Sequence, residues 1–370
     1  MKIKFARESL LSVYQIAAAV APQRSPKTIL QNVLLCANDD GLEIMATDMD
    51  LGVRLNVANV EIFNPGRVVV SVSRMGMILK ESNDEFMTLE SADRQVVITG
   101  NHVRFELDSQ NPDEFPETIK FDEKDYFEID SKVFKELIHR TLFATDTDSG
   151  RFALGGILLE FAEDTVTAVG TDGRRLAKMD GPIQVVGKPN TGNSDVIVPT
   201  RSMQMIERIL AGDDGSVKLS PRTNDLVLSF SHGYLFSRLL EGRFPKWRDV
   251  LPNRTDSIKI DLQVGPMYSA IRQAAIVASD ESRGINLTFN DGTLVLSSRT
   301  AEIGKSRVEM PIAYDKAEMT VSLDHRYFAD FLKVLQPERS FTFDVEDEES
   351  AAYCQTDDSY GYVIMPLSRD

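Results

Sequence analysis

Some residues of this chain have types and spacings that suggest chemistry. Gly304-Lys305-Ser306 ends like a phosphate-binding loop, in which backbone amides cradle phosphate and a lysine reaches its outer oxygens. The glycine required five residues earlier is Arg299, so the loop is incomplete. Asp146-Thr147-Asp148 opens like a calcium loop. Its sixth position is Arg151 where the sharp turn needs glycine, and its twelfth is Ile157 where a bidentate glutamate belongs. His102, His139, His232 and His325 stand alone, and no spacing pairs two carboxylates for acid–base work. Cys36 and Cys354 lie too far apart for a zinc ligand pair or a disulfide framework and read as core thiols. The nucleophile-elbow, metalloprotease and dinucleotide-binding glycine patterns are missing. The expectation is a protein without catalytic residues, metal or cofactor.

The net charge of −16 by itself argues against a nucleic-acid partner, because phosphates are met by Lys and Arg. No apolar run reaches the roughly 18 residues of a membrane span, and Met1-Lys2-Ile3-Lys4-Phe5 lacks the apolar core of a signal peptide. A cytoplasmic protein with no membrane partner is expected.

The elements that would position any site come in threes. An amphipathic stretch at Leu10, Leu11, Tyr14, Ala17 and Ala18 recurs at Val133, Phe134, Leu137, Ile138 and Leu142. It recurs again within 262–278, around Tyr268, Ile271 and Ala275. Each leads to an arginine (Arg24, Arg151, Arg283) and then to an apolar strand, expected to start at Ile29, Leu154 and Gly284. In a second series a short strand runs straight into a helix, at Val68–Val72, Val196–Pro199 and Thr320–Leu323. Its arginines are Arg74, Arg201 and Arg326. Phe115-Pro116 and Phe244-Pro245 close the first two units. Both series give a period of roughly a third of the chain. The reading is three similar domains, 1–125, 126–253 and 254–370, each with two helices against antiparallel sheet. That is α+β and not a doubly wound fold. Turns are expected at Asn38-Asp39-Asp40-Gly41, Asp213-Asp214-Gly215 and Asn290-Asp291-Gly292.

The repeat also sorts the charge. All six helical segments are neutral or net positive, so the acidic excess lies outside them. Turned to one face, they could meet phosphates weakly while the rest of the surface repels them.

Thr171-Asp172-Gly173-Arg174-Arg175-Leu176-Ala177 resembles the Thr-Asp-Gly-His-Arg-Leu-Ala segment of the bacterial DNA polymerase III beta subunit, the DNA sliding clamp family. Gly242-Arg243-Phe244-Pro245 with Val250-Leu251-Pro252, Tyr362–Leu367 and Thr47-Asp48-Met49-Asp50 resemble further family segments, in the same order along the whole chain. The resemblance implies a DNA-clamp fold and a head-to-tail homodimer closing a six-domain ring. That ring would encircle duplex DNA without reading sequence, as a non-catalytic processivity factor. Implied partners are the DNA polymerase III alpha subunit, a clamp loader, and other polymerases and repair proteins that dock through short peptides.

Position by position, the resemblance implies a peptide site at Leu154, Thr171, Gly173, Arg175, Leu176, Pro245, Val250, Val363, Met365, Pro366 and Leu367. It implies DNA contacts at Arg24 and Arg74, with Arg151 and Arg201 as their repeat counterparts, and less so Arg283 and Arg326. The dimer seam falls at Phe105 and Leu107 on one side and Ile276 and Val277 on the other. Where relatives carry an acidic cluster at the seam, this chain has Glu302, Lys305, Arg307 and Glu309. Ser368 separates Leu367 from Arg369, which leaves Arg369 without a matched role. The residues alone also allow an acidic peptide-binding adaptor, or an enzyme with an unfamiliar carboxylate site.

Overall fold

The computed structural model describes every residue except 93, 118–119, 147–151, 190–194, 253, 255–256, 280–282, 302 and 368–370. The chain forms two compact units, Met1–Lys135 with Ile183–Leu239, and Glu136–Pro182 with Leu240–Asp370.

In the first unit, helix α1 (Arg7–Val20) buries Leu10, Tyr14, Ala17 and Val20, one stripe at helical spacing. It stops one residue before Ala21-Pro22, where proline cannot continue the ladder. Helix α2 (Val72–Glu81) buries Met75, Ile78 and Leu79 and packs against α1. Tyr14 crosses to α2 and donates its hydroxyl to the Ser71 carbonyl at 3.1 Å, and burial pushes its pKa far up. Arg7 donates to the Leu79 carbonyl at 2.9 Å, satisfying an orphan acceptor at the end of α2. Helix α3 (Ser131–Thr141) begins in this unit, and α4 (Thr200–Ile209) lies within it.

One antiparallel sheet of this unit has nine strands. In spatial order they are Gln184–Val186, Tyr126–Asp130, Ser216–Pro221, Asp225–Phe230, Gly233–Arg238, Leu51–Val57, Gly41–Thr47, Asn32–Asn38 and Gly66–Ser71. The first two sequence repeats therefore share one sheet, joined where Gly52 faces Phe236. A second sheet of five strands ends on Arg104–Asp108.

In the second unit, α5 (Val264–Ala274) packs on α6 (His325–Lys333). Asp324 caps α6, accepting from the Arg326 amide at 2.9 Å. Strands Gly156–Phe161, Thr165–Thr171, Arg175–Pro182, Tyr360–Ile364, Ala352–Gln355, Ser340–Val345 and Ile258–Gln263 follow one another in one sheet. The second and third repeats meet there, with Leu176 facing Val363. A four-stranded sheet ends on Gly304–Pro311. The core is aromatic: the Phe331 ring stacks on Tyr362 at 5.1 Å and on Tyr360 at 5.6 Å. The units thus follow the shared sheets and not the sequence repeat.

Two expected strand starts move. Thr28–Gln31 and Phe152–Leu154 are single 3-10 turns, so the strands begin at Asn32 and Gly156. Asn38 faces Gly41 and Asn290 faces Thr293 across two-residue hairpin loops, while Asp213-Asp214-Gly215 instead links α4 to Ser216–Pro221. Among the described residues no helix is long and apolar enough to cross a membrane.

Candidate functional site

The positions expected to bind peptides lie in the second unit, and local hydrogen bonds explain how Thr171–Leu176 is shaped. Thr171 Oγ1 donates to the Arg175 carbonyl at 2.6 Å and accepts from the Gly173 amide at 3.1 Å. Asp172 Oδ1 accepts from the amides of Arg174 and Arg175 at 2.9 and 3.0 Å. Short polar side chains thus close the turn on its own backbone. Gly173 sits at φ +86°, a left-handed position that disfavours a Cβ.

Out of this turn Arg175 runs into a closed environment, with only 10% of its side chain exposed. It donates to Asp172 at 2.9 Å, to Asp330 of α6 at 2.8 Å and to the Phe143 carbonyl at 2.6 Å. Its guanidinium lies 4.4 Å from the Tyr327 ring centre. Burial works against its charge, but Tyr362, Asp330 and Asp172 raise its pKa and prevail, so it stays charged. Asp330, Tyr327 and Phe143 escaped the sequence reading; Asp330 lies 155 residues from Arg175, beyond any local pattern.

The terminal run is pinned at both ends. The Met365 amide donates to the Arg174 carbonyl at 2.9 Å, and the Leu367 amide donates to the Ser322 carbonyl at 2.8 Å. Yet Met365 is 44% and Leu367 39% exposed, an ordered apolar strip left facing outward. Leu154, Leu176, Val363 and Thr171 are buried beneath the surface. Running the register of Gly156–Phe161 back along Thr165–Thr171 brings Gly156, two residues after Leu154, beside Thr171. Pro245 is exposed, as is Val250 in the turn Trp247–Val250, which Arg248 ties to Glu160 at 2.7 Å. The arrangement offers apolar side chains and backbone groups for recognition and no nucleophile–base pair.

The other expected positions are scattered. Arg24 and Arg74 are exposed, Arg74 in the first turn of α2. Arg201 is exposed too, but it pairs with Asp48 and donates to the Val20 carbonyl at 3.1 Å, a tie across two repeats that the sequence did not reveal. Arg326 is held by Asp324 at 2.8 Å, and the Arg283 carbonyl accepts from the His325 amide at 3.1 Å. Arg151, Glu302, Ser368 and Arg369 lie outside the described residues. Phe105 and Leu107 stand on the edge strand Arg104–Asp108, where Phe105 is 37% exposed. Ile276, 76% exposed, and Val277 form the turn after α5. On the other edge strand, Lys305 and Arg307 alternate outward with Glu309, and Arg307 bonds Glu309 at 2.7 Å.

Three family models match the chain in succession: the N-terminal domain of the DNA polymerase III beta subunit at 1–119, the central domain at 128–246 and the C-terminal domain at 248–368. The beta sliding clamp of Chlamydia trachomatis is 26% identical over 99% of this chain and 87% of its own length. That of Pseudomonas aeruginosa is 27% identical over 99% of this chain and 100% of its own. A crystal structure of the P. aeruginosa DNA polymerase III subunit beta superposes with a TM-score of 0.90 at 26% identity, covering 100% of both chains. The chain belongs to the DNA polymerase III beta subunit family, the beta sliding clamps, which are non-catalytic processivity factors acting on DNA.

Proposed function

We propose that two copies of this chain join head to tail into a ring of six similar domains, three per copy at 1–125, 126–253 and 254–370. The ring encircles duplex DNA in the cytoplasm and tethers the DNA polymerase III alpha subunit. A clamp loader opens it. Other polymerases and repair proteins dock through short peptides at a site formed by Leu154, Thr171, Gly173, Arg175, Leu176, Pro245, Val250, Val363, Met365, Pro366 and Leu367. Arg24 and Arg74 touch the encircled DNA, with Arg151 and Arg201 in a lesser role. Phe105 and Leu107 of one copy meet Ile276 and Val277 of the next.

The observation that carries this reading is the strip Met365-Pro366-Leu367, ordered by backbone bonds yet exposed. An apolar surface held in place without a covering is what a partner's Leu or Phe requires. The weakly basic helices of an acidic chain suit a protein retained by topology instead of affinity.

Sedimentation should give about twice the 41.3 kDa chain mass at micromolar concentration. Protein loaded onto nicked circular DNA should stay through gel filtration and fall off when the circle is cut. A strict monomer, or equal retention on open linear DNA, would sink the ring. Reversing Arg24 and Arg74 to glutamate should reduce loading and leave peptide binding unchanged, which an adaptor that ignores DNA would not show.

A further inference from the structure

The turn that shapes the peptide-site positions occurs a second time. In the first unit, Thr47 Oγ1 donates to the Leu51 carbonyl at 2.9 Å and accepts from the Met49 amide at 3.0 Å. Asp48 Oδ1 accepts from the amides of Asp50 and Leu51 at 3.0 and 2.7 Å. Met49 has φ +85°, against +86° at Gly173. The strand leaving each turn joins the neighbouring repeat in the same register, so Gly52 faces Phe236 as Leu176 faces Val363. Pro116 follows a buried Phe115 as Pro245 follows a buried Phe244.

These counterparts converge on a cavity. Thr47, Met49, Gly52, Pro116 and Phe236 line one hollow of about 200 Å³, together with Arg54. They correspond to Thr171, Gly173, Leu176, Pro245 and Val363. The substitutions open the space: glycine stands where the other turn carries leucine. Met49 is 46% exposed, an apolar side chain held in a backbone region that favours glycine. Such an outlier at a cavity mouth points to a binding role. A larger hollow of about 620 Å³ shares Arg54, Pro116 and Glu117 with the first. Arg67, Lys120 and Arg222 also line it, beside Glu117 and Asp122. Arg54, Arg67 and Arg222 pair with Glu43, Asp113 and Glu123, so among the described lining cations Lys120 is the one outside these ion pairs.

We propose that this cavity is a second site for a short linear peptide, one that inserts an apolar side chain beside Met49 and directs an acidic flank toward Lys120. The apolar half fits the cavity, and the acidic half complements Lys120. The choice of a peptide ligand rests on the peptide-site reading of the second unit; the cavity itself does not.

The test titrates full-length protein with a fluorescein-labelled acidic decapeptide carrying a central Leu-Phe pair. Two peptides should bind per chain. Replacing Met365 and Leu367 with Asp should leave one. Gly52→Leu, which restores the side chain of the other turn, should weaken the remaining site at least tenfold, and Lys120→Glu should weaken it severalfold. In the unmutated protein the Met49 methyl signal should shift on titration, a readout that does not depend on how Gly52→Leu folds. A single peptide per chain with an unmoved Met49 methyl overturns the proposal. Binding that responds to Gly52→Leu but ignores the Met365 and Leu367 changes supports it, and instead removes the peptide-site reading of the second unit.

Discussion

The turns Thr47–Leu51 and Thr171–Arg175 make the same four side-chain-to-backbone bonds and nearly the same φ at their third residue. They differ in what the fifth residue does. Leu51 is simply buried, and the outer oxygen of Asp48 is taken by Arg201 from α4. Arg175 instead turns back on Asp172 and reaches on to Asp330 of α6. A local motif thus fixes the backbone identically in both places. The side chain leaving it decides whether a seam is closed by a buried charge or by an exposed one.

Removing each arginine gives the widest separation between the turns. Arg175→Ala removes the partner of the largely buried Asp172, empties a buried guanidinium site and leaves Asp330 to Lys333 alone, and should cost about 3–5 kcal/mol. Arg201→Ala removes a pair whose arginine is 55% exposed, and should cost no more than about 1 kcal/mol. Urea unfolding monitored by circular dichroism measures both, and equal losses would erase the distinction.

The third residue should give unequal responses. Gly173→Ala places a Cβ at positive φ and should destabilise by about 1–2 kcal/mol. Met49→Gly relieves similar strain while adding freedom to the unfolded chain, so it should stay within about 1 kcal/mol of zero. A large loss for Met49→Gly would mean that Met49 packs in a way its exposure does not suggest.

Replacing the shared threonine should treat the two turns alike. Thr47→Val and Thr171→Val each remove a hydroxyl that both donates and accepts, and each should cost about 1–2 kcal/mol. Unequal costs would show that the environment, not the motif, holds one of the turns.

The smallest effect concerns acid. Asp358 bonds Arg140 at 2.7 Å and Arg339 at 2.6 Å; burial opposes its charge, but Thr356 and these arginines lower its pKa to about 2. Its contribution is present above the ordinary carboxylate value near 4 and is lost as pH falls through about 2. Asp358→Asn should therefore lower stability at neutral pH and flatten the acid limb of the unfolding curve between those values. An unchanged limb would assign acid sensitivity to other carboxylates.

By itself the sequence determined the threefold repeat and six helices near their observed bounds; it marked the two Thr-Asp segments by resemblance, and their turn geometry came with the structure. These follow from contacts within a few residues: apolar stripes at helical spacing, and hydroxyl and carboxylate oxygens that reach amides two or three positions on. The 3-10 turns before Asn32 and Gly156 were misread as strand because apolar runs look alike in either conformation. Only the tertiary structure decided that Arg175 meets Asp330, that Arg201 is tied to Asp48 and Val20, and that Met365 and Leu367 are pinned yet exposed. Except for Leu367 on Ser322, those pairings join residues of different repeats. Which of many similar charges and apolar groups meet there depends on how the repeats share their sheets, and no local spacing records that.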